Sequence, residues 1–105
     1  MTELVVTLDL DGVTDKAGLM DRCARALRLP GWFGRNWDAL SDSLRDRTVW
    51  PEDAAERGLL LVVRGWRPYA TARPEEWRTA QEVFTEAVDR TPALSVALAL
   101  GGSSQ

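Results

Sequence analysis

The chain has 105 residues, 45% of them hydrophobic and 28% charged, the balance of one soluble globular domain and neither a disordered tail nor two domains. Thirteen basic against 16 acidic side chains leave a formal charge of −3. The molecule therefore lacks the basic field that releases counterions from nucleic-acid phosphates, and no direct nucleic-acid partner is expected. One cysteine, Cys23, and no histidine exclude an internal disulfide, Ser-His and Cys-His nucleophiles and Cys/His zinc sites.

Residues 4–10 are β-branched and apolar and end in the turn signal Asp11-Gly12, which predicts a first strand. Thr14 is the expected cap of a helix over residues 15–28, in which Leu19, Met20, Cys23 and Leu27 recur at helical spacing before Pro30-Gly31 stops it. Asn36 caps a short second helix ending near Asp46, with Trp37, Leu40 and Leu44 at i, i+3 and i+7. Pro51 and the acids Glu52 and Asp53 open a short third helix that Gly58 closes.

Residues 59–63 form a continuous apolar run, the pattern of a strand covered on both faces or central in a parallel sheet. A loop with Gly65, Pro68 and residues 70–73 follows. Pro74-Glu75-Glu76 then starts a long helix carrying Trp77, Ala80, Phe84, Ala87 and Val88 on one face, and Pro92 ends it. Residues 94–100 are the third strand and 101–105 a flexible polar terminus. The order β-α-α-(α)-β-α-β joins successive strands by helical crossovers, so the expected fold is α/β, a three-stranded parallel sheet packed against helices in one domain over residues 1–100.

The start of the chain has no basic segment and its apolar stretch is broken by Thr7, so it reads as neither signal peptide nor anchor. The apolar runs at 59–63 and 96–100 fall far short of a membrane span. A cytoplasmic protein without a membrane partner is expected.

Residues 29–44 hold the chemistry: aromatic residues and glycines in a loop that feeds a helix N-terminus, a kind of segment that often carries binding. Trp32 and Phe33, between Gly31 and Gly34, lie outside any amphipathic period; they are either interface anchors or packing against the flanking helices. Asp38 and Asp42 are one turn apart and share a face beside the apolar stripe. Such a pair destabilises a helix by about 0.2–0.5 kcal/mol, so it is either a solvated face or a surface for a cationic partner. Glu82 and Glu86 form a second acidic pair on the last helix. An acid-base enzyme built on Asp38 with Asp42 or Glu86 is disfavoured, because carboxylates on a helix surface lack the enclosed pocket that would split their pKa values. Asp38, Asp42 and Asp46 are strung along two turns and cannot converge on one ion, so neither metal nor cofactor is expected. Trp37, Trp50, Trp66 and Trp77 fit packing roles.

The run Leu29-Pro-Gly-Trp-Phe-Gly-Arg-Asn-Trp-Asp-Ala-Leu-Ser-Asp-Ser-Leu44, with residues 83–87 of the last helix and the order of elements along nearly the whole chain, resembles the barstar family of intracellular inhibitors of barnase-like ribonucleases. The resemblance implies the three-stranded parallel fold and a face, made by the second helix and the loop before it, that plugs the cationic active site of a guanyl-specific secreted ribonuclease. On that resemblance Trp32 and Phe33 match the paired aromatic residues and Gly34 a backbone contact. Asp38 and Asp42 match the contact aspartates, with Asp42 at the phosphate site, and Glu86 matches an acidic contact. Arg35, Asn36 and Ser41 complete the implied partner-binding set.

The chain departs from the family pattern at Arg35, where the family has an acid, at Ser41, where it has a tryptophan, and in its lone Cys23, with Ser43 at one position of the family's cysteine pair. Arg35 is expected to stand close to Asp38, either neutralising it or meeting an acidic rim on a different ribonuclease. The implied function is a one-to-one inhibitor, monomeric when free, that mimics RNA phosphate with carboxylates and protects its cell as an immunity protein. The alternative is a barstar-like module for a different basic protein or toxin.

Overall fold

The computed structural model describes residues 2–31 and 33–99. Strand β1 (Leu4–Asp9) leads to helix α1 (Lys16–Leu27), α2 (Trp37–Arg45), a 3-10 turn (Arg47–Val49) and α3 (Glu52–Arg57). Then come β2 (Leu59–Arg64), α4 (Arg67–Ala72), α5 (Pro74–Arg90) and β3 (Leu94–Leu98). The strands lie in the order β1-β2-β3 and both pairings are parallel, as the helical crossovers require. Leu59 stands between Leu4 and Leu94, and Leu61 between Val6 and Val96, so the apolar side chains of alternate residues form rows across one sheet face.

That face is the floor of the core. Leu8, Leu59, Leu61, Val63 and Leu94 are buried in one cluster with Leu19, Met20 and Leu27 of α1, Leu40 and Leu44 of α2, and Phe84 of α5. The opposite face is more open: Val5 is 57% exposed, Thr7 and Ala97 are exposed, and Leu60 and Val62 are half-buried. The continuous apolar run of β2 thus reflects its central position and not burial on both sides.

Three local expectations change. Asp15, not Thr14, caps α1: its carboxylate accepts from the Gly18 N–H at 2.9 Å. Pro51 precedes α3 as its cap residue, one position before the expected first turn. The loop before α5 contains the helix α4, whose only buried residue is Tyr69. Tyr69 meets Trp77 edge-on at 6.2 Å, and Trp77 in turn stacks on Trp66 at 5.3 Å. This aromatic packing and the Tyr69 hydroxyl donating to Glu76 at 3.0 Å hold α4 on α5. Gly65 has φ +66 and sits so close to β1 that a Cβ would come within 2.8 Å of the Asp11 nitrogen, so glycine is required there. Leu100 and residues 101–105, expected as the strand end and the tail, lie outside the described residues. Among the described residues no helix is long and apolar enough to cross a membrane.

Candidate functional site

Helix α2 is placed from both ends. At its start the Asn36 side-chain oxygen accepts from the Ala39 N–H at 2.8 Å, while the side-chain nitrogen donates to the Gly34 carbonyl at 3.3 Å. At its end the Trp50 indole donates to the Ser43 carbonyl at 3.1 Å from a buried position. Leu40 and Leu44 are fully buried where α2 packs along α5, and Trp37 is half-buried against the same core. This packing turns Asp38 and Asp42 outward, and both are exposed.

Asp38 stands in the first turn of α2, where the helix dipole favours a carboxylate, and among the described residues it joins no ion pair. Asp42 is paired with Arg45 at 3.0 Å, one turn on, with 76% of its side chain still exposed. Arg45 also donates to the Ser41 carbonyl at 3.3 Å, and Ser41 itself is half-buried.

The loop and the helix enclose a hollow of about 230 Å³. Phe33, Ala39 and Val49 supply its apolar lining, Gly34 one edge, and Asp42 and Asp46 its carboxylates. The sequence offers Asp46 only as a metal ligand that cannot converge with Asp38 and Asp42; the structure makes it part of this site. Its carboxylate accepts from the Thr48 hydroxyl at 2.5 Å and the Thr48 N–H at 2.9 Å, and these bonds hold its pKa below the ordinary value. The signal was present in the sequence: Asp-x-Thr directly after a helix is a local capping pattern.

Phe33 is 5% exposed and belongs to the core cluster. Of the two roles open to it, the structure assigns packing: its side chain anchors the loop and is not a free binding surface. Trp32 lies outside the described residues. Arg35 makes its ion pair with another helix: its guanidinium reaches back to Asp21 of α1 at 3.4 Å, and among the described residues no ion pair joins it to Asp38. Glu86 is exposed on α5 beside Glu82, Asp89 and Arg90, in a shallow hollow separate from the one at Asp42.

The assembled chemistry is that of recognition. Exposed carboxylates accept charge-assisted hydrogen bonds from arginine or lysine, and a site of this kind steers oppositely charged partners. Among the described residues no three acidic or thiol groups are arranged to hold a metal ion. Cys23 is fully buried in α1, and burial pushes its thiol pKa up to about 12, so it is an inert core residue.

A family model described as Barstar (barnase inhibitor) matches residues 3–100, from the start of β1 to the end of β3 and through every site element above. The chain belongs to the Barstar family. A search among curated proteins returned no match. Barstar members are inhibitors and not enzymes, and their fold is the three-stranded parallel arrangement found here. A ribonuclease is the kind of partner that membership implies.

Proposed function

We propose that the protein is an intracellular inhibitor of a guanyl-specific, barnase-like secreted ribonuclease, forming a one-to-one complex in the cytoplasm and protecting its own cell as an immunity protein. The observation that carries this reading is the exposed Asp38–Asp42 face on α2, beside a hollow with carboxylates at Asp42 and Asp46, in a chain of the Barstar family. An enzyme that cleaves RNA holds cations where phosphate binds, and carboxylates held on a rigid helix present to those cations the charge that phosphate would. In this reading Asp42 supplies the central contact, Asp38, Gly34 and Asn36 add contacts from the same helix and loop, Glu86 adds one from a separate hollow on α5, and Trp32 belongs to the same loop. The free protein is a monomer, and one loop with two helices makes an interface of ordinary size.

The test is titration of the full chain against purified guanyl-specific ribonucleases from several bacteria, at low and moderate salt, with Asp42→Ala alongside. Stoichiometric, salt-sensitive loss of RNA cleavage that depends on Asp42 is the expected result. Inhibition unchanged in Asp42→Ala misplaces the contact. No inhibition by folded protein assigns the face to a different basic protein or toxin.

A further inference from the structure

The site is not uniformly acidic: Arg45 pairs with Asp42, and a second cation, Arg35, is held in an unusual way. Arg35 lies between Gly34, at the edge of the hollow, and Asn36, the cap of α2. Its φ is +54, a left-handed backbone that side chains other than glycine rarely adopt. This turn feeds the chain into α2, and the Arg35 side chain reaches α1, where Nη1 stands 3.4 Å from one Asp21 oxygen. The other Asp21 oxygen accepts Arg25 at 3.2 Å. Two guanidinium groups thus share one carboxylate, and the cluster carries a net positive charge.

That contact does not explain the residue. Among the described residues Arg35 makes one long hydrogen bond with a group of five donors, and its side chain is 55% exposed, against 73% for Arg25 and 44% for Asp21. Ion pairs this exposed contribute little to stability. What Asp21 does supply is orientation: it engages Arg35 on the α1 side, among the described residues no ion pair joins Arg35 to Asp38 or Asp42, and the guanidinium keeps more than half of its side chain in water. The site therefore has two electrical sides, a negative one along α2 and a positive one where the loop meets α1.

We infer that Arg35 is a specificity-determining residue that reads a carboxylate at the rim of the partner's cationic cleft, on the side that docks against α1. The inference rests on the inhibitor reading and deepens it: the partner has a basic floor that takes Asp42 and an acidic group at one edge that takes Arg35. A bipolar pattern of this kind fixes one docking orientation, and it repels an enzyme whose rim is basic at the same place.

The test uses the ribonuclease that the wild-type chain inhibits in the panel above. Arg35→Gly keeps the left-handed backbone without strain and removes only the side chain, and Arg35→Glu reverses the charge. Both are measured for association and dissociation at low and raised salt. They are then crossed with enzyme variants in which single acidic residues around the cleft mouth become amides. The expected result is about a ten-fold loss of affinity in Arg35→Gly and a larger one in Arg35→Glu, diminished by salt. One enzyme carboxylate should weaken wild-type binding when removed and have no effect on Arg35→Gly. Affinity unchanged or improved in both variants, or no enzyme carboxylate coupled to Arg35, overturns the inference. If inhibition depends on Asp42 but not on Arg35, only this inference falls. If the wild-type chain inhibits no ribonuclease, the inhibitor reading falls and takes this one with it.

Discussion

Replacing Asn36 with alanine isolates what a single cap contributes to the functional helix. The Asn36 oxygen accepts from Ala39 N–H at 2.8 Å, one of the helix-start donors that no backbone carbonyl can satisfy, and its nitrogen donates to Gly34 at 3.3 Å. Loss of such a cap destabilises by about 1 kcal/mol, and the longer, exposed bond to Gly34 adds at most about 0.5 kcal/mol. The buried anchors of α2, Leu40 and Leu44, are untouched, so the loss stays local and adds no cavity. For a domain of this size the total corresponds to a fall in Tm of about 5–10 °C. Asn36→Asp keeps the acceptor and places a charge at the favourable end of the helix dipole, so its stability should remain within about 0.5 kcal/mol of wild type. Urea and thermal unfolding by circular dichroism measure all three proteins. An alanine variant within 1 °C (about 0.2 kcal/mol) of wild type, or an aspartate variant as unstable as the alanine one, refutes the capping argument.

Trp50→Phe should destabilise more, by about 2 kcal/mol, because it removes the buried indole bond to the Ser43 carbonyl and leaves a small void; an unchanged urea midpoint would contradict this. Arg45→Ala frees the Asp42 carboxylate from its 3.0 Å partner and makes the chain more acidic, so association with a basic ribonuclease should rise about two-fold at low salt and converge with wild type at high salt; slower association would count against it. The Cys23 pKa is raised in the folded state to about 12, so its contribution is complete below the unfolded thiol value near 9 and is lost as pH rises toward 12. Between pH 9 and 10.5 wild type should lose about 2 kcal/mol that Cys23→Ala does not, read from urea unfolding; parallel pH profiles sink the assignment. The Asp46 pKa is lowered, so its contribution is present above the ordinary carboxylate value and disappears as pH falls through the folded one; Asp46→Asn should flatten the acid limb of stability, and an identical limb would show that the Thr48 bonds are not coupled to folding.

The sequence by itself determined the frame of this protein. Strand and helix periods are local properties, so β1, β2 and β3, the stripes of α1, α2 and α5 and the Asn36 cap could be read from spacing alone. The run from Leu29 to Leu44 was specific enough to point to the Barstar family and to Asp38 and Asp42 as an exposed pair.

What spacing could not supply is which distant residues meet. Helix α4 has one buried residue and a proline at its start, and it exists because Tyr69 packs on Trp77 of α5. Phe33 occupies a loop without periodicity, and only the assembled core decides that it points inward. Asp46 joins the site because the 3-10 turn folds back beside α2. Arg35 lies three residues before Asp38 in sequence, yet its ion pair is with Asp21, fourteen residues back, from a left-handed backbone. Burial and charge pairing depend on three-dimensional proximity, and proximity between segments remote in the chain is set by how the core closes.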